Sequence, residues 1–443
     1  MKLQNWWYTT LMNIDDKVQP PLKEDIKTDF LVIGAGAAGL SAAYTLMGKG
    51  AKVVLIEKNI CGGNTSGKSA GFLTPDSELE MSQLLRRFGK ENATALWNVA
   101  VHGVQLMVSR IDKHALNCDL QKQDSLFLGN GNKGLKEVKE EMEARKILGY
   151  EQQFFNRDEL KHIIGSDQYS GGVLYPGTYG INALQYCQEM KRILIENGVE
   201  VYESTEAITV KDHYVKTHLG SITAGEIIFC ADKPAANFTH FSRNVFHAQT
   251  YLTISEPLSE KMINQIFPSG RHQCWDTDLI YTYYRLTGDD RILLGGGSLM
   301  TTYARNDIDS PHVIKRVIKK FKKKFPMLQD LEFVQYWPGR IDTTRDLIPT
   351  IVKEAHKPWL HYVLGCVGLP WATFCGDFAA RHAYDDKGCT DHDYYKFFGG
   401  DRHFFLPLGI EKFIGKPVLF AANNGWAKYY QVDHIKLEQV GKM

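Results

Sequence analysis

The distribution of apolar residues along this chain predicts its first secondary-structure elements. Unbroken apolar runs cover residues 30–33 and 53–56, and both contain β-branched residues. Such runs are typical of strands buried on both faces, as in a parallel sheet. Residues 40–46, between the two runs, are rich in helix formers. Residues 28–57 are therefore predicted to form a strand, a helix and a second strand.

The same patterns predict further elements downstream. Residues 76–143 are mainly helical, because apolar residues recur there at intervals of three and four. Further predicted helices cover residues 133–146, 182–196 and 312–324, and further predicted strands cover residues 126–128, 199–203, 226–230, 248–255 and 361–365.

A stretch in the second half of the chain has the pattern of an antiparallel hairpin. Residues 278–286 and 291–295 are two apolar runs separated by the turn Gly288-Asp289-Asp290. Alternation places Tyr281, Tyr283 and Arg285 on one face of the first strand, and Thr282, Tyr284 and Leu286 on the other. Antiparallel strands do not belong to a parallel sheet, so they indicate a second domain inserted into the first. The predicted fold class is α/β combined with α+β, a Rossmann-like domain interleaved with an antiparallel-sheet substrate domain.

Composition narrows the functional classes. The 443 residues are 44% hydrophobic with a formal net charge of +1, so charge gives no reason to expect nucleic acid or an anionic membrane as partner. The longest apolar run, residues 30–47, is the glycine-rich unit itself, and we expect neither a transmembrane segment nor a signal peptide. The eight cysteines are scattered without metal-binding spacing. We therefore expect no metal and a cytoplasmic location.

A G-x-G-x-x-G turn joins the first strand to the helix. Gly34 allows the tight turn, Gly36 lets the backbone approach a pyrophosphate, and Gly39 lets the helix pack on the strand. Glu57 ends the second strand, 57 − 34 = 23 residues after the first glycine, close to the roughly 20 expected of a carboxylate that binds ribose. Strand, turn, helix, strand and acid in this order predict a dinucleotide site.

A second glycine-rich stretch leaves an alternative to consider. Residues 62–69 match G-x-x-x-x-G-K-[ST], the phosphate loop of nucleoside triphosphatases, and residues 227–232 offer an apolar strand ending in Asp232. Such a loop should follow its strand directly and open a helix, yet residues 58–61 intervene, and Gly71 and Pro75 break any helix. We therefore favour a role for this loop in the dinucleotide site.

With these pieces in order, residues 28–395 resemble the FAD-dependent D-amino-acid oxidase superfamily, nearest its γ-glutamylputrescine oxidase branch. The loop at residues 62–71 looks like the family's loop beside the flavin, with Lys68 in place of arginine. Three further stretches are similar to the family's adenine-binding segment, substrate-side hairpin and late flavin-proximal motif: residues 198–207, 283–296 and 337–349. Three departures stand out. Gly368-Leu369-Pro370 replaces Gly-His-Gly, Asp232 replaces a glycine, and Arg340 is one position from the usual arginine.

The resemblance implies non-covalent FAD and a set of site residues. The implied substrate-binding or catalytic residues are Arg340, Tyr284 and Arg285. The implied cofactor-binding residues are Gly34, Gly36, Ala37, Ala38, Gly39, Glu57, Lys58, Thr65, Ser66, Gly67, Lys68, Ser69, Ala70, Gly71, Ala207, Cys230, Ala231, Gly339, Gly368, Leu369 and Pro370. The implied domains are a lead-in (1–27), an FAD-binding domain (28–105, 171–243 and 333–395), a substrate domain (106–170 and 244–332) and an aromatic C-terminal extension (396–443).

The implied reaction is oxidation of the carbon–nitrogen bond of an amine or amino acid to an imine, by hydride transfer to flavin N5. Dioxygen is the expected electron acceptor, with another acceptor as the alternative. A membrane-associated dehydrogenase is one rival, because residues 404–408 are apolar enough for an interfacial contact. A flavin-binding protein without catalytic activity is the other.

Overall fold

The computed structural model describes residues 1–11, 18–76, 78–151, 153–232, 234, 238–303, 307–400, 402, 410 and 413–429. Its strands, in chain order, are β1 (Lys2–Leu3), β2 (Asp25–Ile33), β3 (Val53–Ile56), β4 (Phe72–Leu73), β5 (Gln121–Lys122), β6 (Asp124–Gly129), β7 (Gln153–Asn156), β8 (Gly171–Tyr175), β9 (Tyr179–Gly180), β10 (Glu200–Tyr202), β11 (Thr209–Lys211), β12 (Tyr214–Lys216), β13 (Ser221–Phe229), β14 (Val245–Pro257), β15 (His272–Asp276), β16 (Tyr283–Leu286), β17 (Arg291–Gly296), β18 (Phe333–Thr344), β19 (Thr350–Glu354) and β20 (Lys357–Leu364).

The α-helices are α1 (Trp6–Leu11), α2 (Ala37–Gly48), α3 (Met81–His114), α4 (Gly131–Leu148), α5 (Arg157–Leu160), α6 (Ala183–Glu196), α7 (Glu260–Ile266), α8 (Pro311–Lys324), α9 (Leu369–Asp385), α10 (Tyr395–Phe398) and α11 (Lys416–Tyr429). None of the described helices is long and apolar enough to span a bilayer.

A mostly parallel sheet carries the glycine turn. Its strand order in the described residues is β10-β3-β2-β13-β12-β11, and β20 also pairs with β13. Strands β10, β3, β2, β13 and β20 are parallel to one another, with Ile33 opposite Ile56 and Phe229, whereas β12 and β19 pair antiparallel with β13 and β20. Helix α2 packs on α9 so closely that a Cβ on Gly376 would lie 1.9 Å from the Ala38 oxygen. The predicted strand–helix–strand unit is confirmed.

A second, largely antiparallel sheet holds the hairpin. Its order in the described residues is β1-β18-β14-β17-β16-β15-β6-β8-β7. Helix α8 packs on β14 and β17, and its buried residues Val313, Val317 and Phe321 join a core with Tyr284. The predicted α/β and α+β combination is confirmed.

The boundaries of the domains and of one strand differ in detail from the sequence-based expectations. Strands β8 and β18 lie in the antiparallel sheet, although the predicted boundaries assign residues 171–243 and 333–395 to the FAD-binding domain. The first strand of the hairpin begins at Tyr283 and not at residue 278, because residues 279–280 form a turn. Side-chain alternation along a strand therefore does not extend back to Tyr281.

Candidate active site

The first of two adjoining clefts is built mainly from backbone. It encloses about 1140 Å³, including its open mouth, between the ends of β2, β3 and β13. Gly34 makes the turn with a φ of 97°, a left-handed value that favours glycine. A Cβ on Gly39 would lie 1.8 Å from the Gly34 oxygen, so α2 can approach the turn only because both positions lack side chains.

The geometry at Gly36 fits the pyrophosphate of a dinucleotide. Gly36 caps α2 without a side-chain hydrogen bond, and a Cβ there would meet only the Ser66 side chain, at 3.0 Å from its Oγ. The cleft therefore reaches the N-terminus of α2, where backbone N–H groups and the helix dipole favour an anion.

Glu57 lines the same cleft with a carboxylate fixed by backbone. Its Oε2 accepts from Ala35 N at 2.9 Å, and its Oε1 accepts from Asn59 N at 2.9 Å. Burial raises the pKa of Glu57 in spite of these hydrogen bonds. The geometry suits a carboxylate that accepts from ribose hydroxyls, because the orientation of both oxygens is set before any ligand binds.

The glycine-rich loop at residues 62–71 separates this cleft from the second one. Ser66 Oγ accepts from Ala37 N at 2.9 Å, and Trp7 of α1 donates to the Ser69 oxygen at 2.8 Å. Only a 3₁₀ turn, Ser66–Lys68, forms in this described stretch, and Gly71 follows with a φ of 72°. No triphosphatase-type helix opens within residues 62–71, which agrees with the preference for a dinucleotide site.

Asp232 fastens the same loop. Its Oδ2 accepts from Asn64 Nδ2 at 2.7 Å and from Thr65 Oγ1 at 2.8 Å. Burial and the neighbouring Asp342 carboxylate raise the pKa of Asp232 to about 6. The acid that replaces the family's glycine therefore positions the loop between the two clefts.

The second cleft is built mainly from side chains. It encloses about 1030 Å³, including its mouth, and shares Thr65, Ser66 and Arg340 with the first cleft. One end is bordered by the glycine-rich loop, by Gly339 and by the start of α9, where Gly368 caps the helix with a φ of 86°. The other end is aromatic and acidic, and its lining includes Phe72, Asp76, Glu78, Trp275, Tyr281 and Tyr283.

Two carboxyl groups give this far end its charge. Tyr281 donates to Glu78 Oε1 at 2.9 Å, and burial raises the pKa of Glu78. Burial also raises the pKa of Asp76 to about 7, and the neighbouring Glu78 adds to this rise. Asp76 Oδ1 is buried and has no hydrogen-bond partner among the described residues. The two groups are therefore sensitive to any cation that enters the cleft.

Comparison with known proteins shows the family of this chain. The family described as FAD dependent oxidoreductase (DAO) matches residues 29–382. The chain belongs to this family. The cofactor of this family is FAD, a dinucleotide of the kind that the geometry of the first cleft suits, and the resemblance stated from the sequence is confirmed.

Relatives within the FAD dependent oxidoreductases share about a quarter of their residues with this chain. The gamma-glutamylputrescine oxidoreductase of Escherichia coli strain K12 is 27% identical over 335 residues, which cover 74% of this chain and 77% of the relative. The probable oxidoreductase OrdL of Haemophilus influenzae is 27% identical over 359 residues, covering 79% and 80%. The crystal structure of glycine oxidase from Geobacillus kaustophilus matches the fold with a TM-score of 0.73 at 17% identity, covering 85% of this chain and 99% of that one.

Most residues expected at the FAD site line the two clefts. The first cleft is lined by Gly34, Gly36, Glu57, Lys58, Ala207, Cys230 and Ala231, the second by Lys68, Ser69, Ala70, Gly71, Gly339, Gly368, Leu369 and Pro370, and both by Thr65 and Ser66. Ala37, Ala38 and Gly39 form the first turn of α2 behind this lining, and Gly67 is buried in the loop, where its N–H donates to the Gly62 oxygen at 2.8 Å.

The hairpin residues expected to act on substrate are placed elsewhere. Tyr284 points into the core beside α8, with its ring 5.1 Å from that of Phe321, so the neighbouring Tyr283 faces the cleft in its place. Arg285 is fully buried and donates to the backbone oxygens of Ala70 and Leu286, at 2.7 and 2.9 Å, and to that of Ile181. Burial lowers the pKa of Arg285 to about 10. Both assignments are corrected: Tyr284 packs the core, and Arg285 braces the glycine-rich loop.

Arg340 lies where the two clefts meet. Its Nε is 2.6 Å from Asp307 Oδ1, and Lys68 Nζ is 3.5 Å from Asp307 Oδ2. Asp342, two residues after Arg340, pairs with His247 at 2.5 Å. A substrate carboxylate at this end would compete with Asp307 for the two cations.

Sequence reasoning missed the acidic end of the second cleft. Asp76 and Glu78 follow Pro75 directly, and an acidic run between a proline and a helix is the local signal that could have drawn attention to them. Trp275 also lines the cleft and donates to Glu80 at 2.8 Å. Nothing in the local pattern indicates that β15 and the glycine-rich loop share one cleft.

Side chains of metal-binding type also meet at the end of α9, although their spacing gave no such expectation. His382 lies 2.8 Å from Asp386 and 3.0 Å from Asp391. These carboxylates also pair with Lys353 and Arg381, each at 2.9 Å. The group is an ion-pair network as it stands.

Proposed function

We propose that this FAD dependent oxidoreductase oxidises the carbon–nitrogen bond of an amine or amino acid to an imine, which water then hydrolyses. The observation that carries the proposal is the junction of the two clefts at Thr65, Ser66 and Arg340. A dinucleotide in the first cleft extends toward the second, and the aromatic end of the second leaves room for a small substrate. The names of the relatives, an oxidoreductase of gamma-glutamylputrescine and a glycine oxidase, support an amine as substrate.

The chain itself supplies position, electrostatics and a shielded cleft. When bound, FAD supplies the hydride acceptor. Tyr281, Tyr283 and Trp275 form aromatic walls that orient a substrate and limit its contact with water. The N-terminus of α9, at Gly368, borders the cleft without a side-chain cap, so its dipole stabilises negative charge that develops there. An amine that binds in its neutral form needs no further protein base.

We further propose that FAD is bound non-covalently and that dioxygen accepts the electrons. Eight unbridged cysteines support a cytoplasmic location. Residues 404–408, on which the membrane-associated alternative rests, lie outside the described residues. Denaturation should release intact FAD into the supernatant, and flavin that stays with the polypeptide would contradict the non-covalent proposal.

The reaction is tested by anaerobic mixing of the purified holoenzyme with a panel of amines and amino acids. Bleaching of the flavin by at least one of them is expected. Flavin that stays oxidised with every compound would favour the non-catalytic alternative. Admission of air after bleaching then separates the acceptors, because rapid reoxidation supports an oxidase and slow reoxidation supports a dehydrogenase with another acceptor.

A further inference from the structure

Charge is divided unequally between the two ends of the second cleft. At the junction with the first cleft, the described lining contains two cations, Lys68 and Arg340, and both pair with Asp307. At the far end the described lining contains two carboxyl groups, Asp76 and Glu78, and no cation. Lys428 of α11 is the cation whose charge acts on Glu78 from outside this lining. A bound ligand therefore meets acids at the end farther from the first cleft.

The walls at the acidic end are aromatic. The ring centroids of Tyr281 and Tyr283 are 5.5 Å apart with an interplanar angle of 52°, and Trp275 lines the same end. Aromatic faces carry negative potential and attract ammonium groups, and a carboxylate beside them strengthens this attraction. Aromatic rings and carboxyl groups together form the kind of site that binds an organic cation.

The cleft also continues beyond the acids. A further cavity of about 580 Å³ shares Glu78, Tyr281 and Tyr283 with it and is also lined by Phe420 and Asn424 of α11. Asn423 of the same helix donates to the Tyr303 hydroxyl at 3.1 Å, which holds α11 against the substrate domain. The space between the junction and α11 therefore suits an extended, linear molecule.

We propose that the substrate carries a second ammonium group that does not react, and that Asp76 and Glu78 bind this group. The substrate class is then a linear diamine or a longer polyamine, in place of an α-amino acid. This inference rests on the proposed oxidation of a carbon–nitrogen bond. It assigns Asp76 and Glu78 as residues that determine specificity, with Tyr281 holding Glu78 in position.

A carboxylate would be poorly tolerated in the same place. Two acids within one partly buried cleft repel an anion, and like-charge contacts of this kind reject the wrong ligand. An ammonium group, in contrast, can donate a hydrogen bond to Asp76 Oδ1, which has no hydrogen-bond partner in the described part of the protein. The preference should therefore be set mainly by the terminal group of the ligand.

Three compounds of equal length isolate that terminal group: the four-carbon diamine, the four-carbon monoamine and the four-carbon ω-amino acid. Each is mixed anaerobically with the holoenzyme, and both the early perturbation of the oxidised flavin spectrum and the later bleaching are recorded. We expect the diamine to bind roughly tenfold or more tightly than the monoamine. The ω-amino acid should bleach the flavin most slowly, because its carboxylate must lie against the two acids while its amine reacts. Bleaching by the ω-amino acid as fast as by the diamine would overturn the proposal.

Measuring binding and bleaching separately distinguishes the proposed oxidation from the assignment of Asp76 and Glu78 as the ammonium site. Selective binding of the diamine without bleaching would contradict the proposed oxidation and support the assignment of Asp76 and Glu78. Bleaching by all three compounds without selectivity would support the oxidation and overturn the assignment.

Matched variants test the residues themselves. Asp76→Asn and Glu78→Gln keep shape and remove charge, and each should reduce the preference for diamine over monoamine by roughly tenfold, mainly through KM. Glu196→Gln removes an exposed carboxylate of α6 that pairs with Arg192 and should leave the preference unchanged. Flavin content reports on folding in every variant. A flavin-loaded double variant with the wild-type preference would overturn the assignment.

Discussion

The two clefts of this protein adjoin one another, but one is shaped by backbone conformation and the other by side chains. The FAD cleft is shaped by backbone: Gly34 turns, Gly36 leaves room and Gly39 permits close packing. The substrate cleft is shaped by side chains such as Glu78 and Tyr283, which come from distant parts of the chain. FAD binding in the first cleft should therefore be blocked by added side-chain atoms. Substrate binding in the second cleft should be weakened by the removal of charges and hydrogen bonds.

The largest effect is expected from one added side chain in the FAD cleft. Gly36→Val places a branched side chain where the pyrophosphate must approach, yet its Cβ meets only the movable Ser66 side chain in the protein. We expect a folded, colourless protein, measured as flavin absorbance per polypeptide together with circular dichroism. Gly48→Ala is the matched control on the same helix, because nothing lies within 4 Å of the added Cβ. A yellow, fully loaded Gly36→Val protein would contradict the placement of FAD.

The next effect concerns the brace between the two clefts. Arg285→Met removes the buried donor that Arg285 supplies to the backbone oxygens of Ala70 and Ile181, whereas the Leu286 oxygen still accepts from Gln123 at 2.9 Å. Each unsatisfied group costs about 1–3 kcal/mol, so we expect the two oxygens together to cost about 2–6 kcal/mol in the free energy of unfolding. Denaturant titration measures this loss. Arg271→Ala breaks a half-exposed pair with Asp290 and should cost less than about 1 kcal/mol. Equal losses in both variants would show that Arg285 is not a brace.

A pH effect of intermediate size is expected at Asp346, which joins α3 to the segment after β18. Burial alone would raise its pKa, but Arg402 and Arg87 outweigh burial and lower the pKa of Asp346 to about 2. A depressed folded-state pKa stabilises the protein above the unfolded value near 4, and this contribution is lost as pH falls through about 2. It amounts to about 2 kcal/mol. The difference in unfolding free energy between wild type and Asp346→Asn should shrink from pH 4 toward pH 2, and a constant difference would contradict this account.

The smallest effect is expected at Arg340, which the family resemblance implies to bind substrate. Arg340→Ala should lower kcat/KM for an α-amino acid, whose carboxylate lies beside the reacting carbon, by roughly tenfold, and for the diamine by less, because the guanidinium binds only the carboxylate. The ratio of the two kcat/KM values is the measurement, and it does not depend on flavin content. An unchanged ratio would remove Arg340 from contact with anionic groups.

The contrast between the clefts also explains what the sequence could predict. The FAD cleft follows from local rules, since the turn, the helix start and Glu57 lie within one strand–helix–strand unit. Their spacing alone identifies the site. The glycine-rich loop is also predicted from its sequence to lie beside the cofactor, but its hydrogen bond to Asp232 depends on a strand far along the chain.

The substrate cleft depends on tertiary contacts, and these cannot be inferred from the alternation of residues along a single strand. Strand alternation correctly separates Tyr283 from Tyr284, but it does not show that Arg285, on the same face as Tyr283, bonds to loop carbonyls. Asp76 and Glu78 form no sequence motif, and their function follows from the aromatic rings that β15 and β16 bring to them. Specificity is thus encoded in contacts between domains.

The most direct test of the whole account is a crystal structure of the holoenzyme with the four-carbon diamine, bound under anaerobic conditions. The account predicts FAD in the first cleft, with its pyrophosphate at Gly36, and the distal ammonium of the diamine within hydrogen-bond distance of Asp76 or Glu78. A diamine whose distal ammonium points toward Lys68 and Arg340, or one bound outside the second cleft, would contradict it.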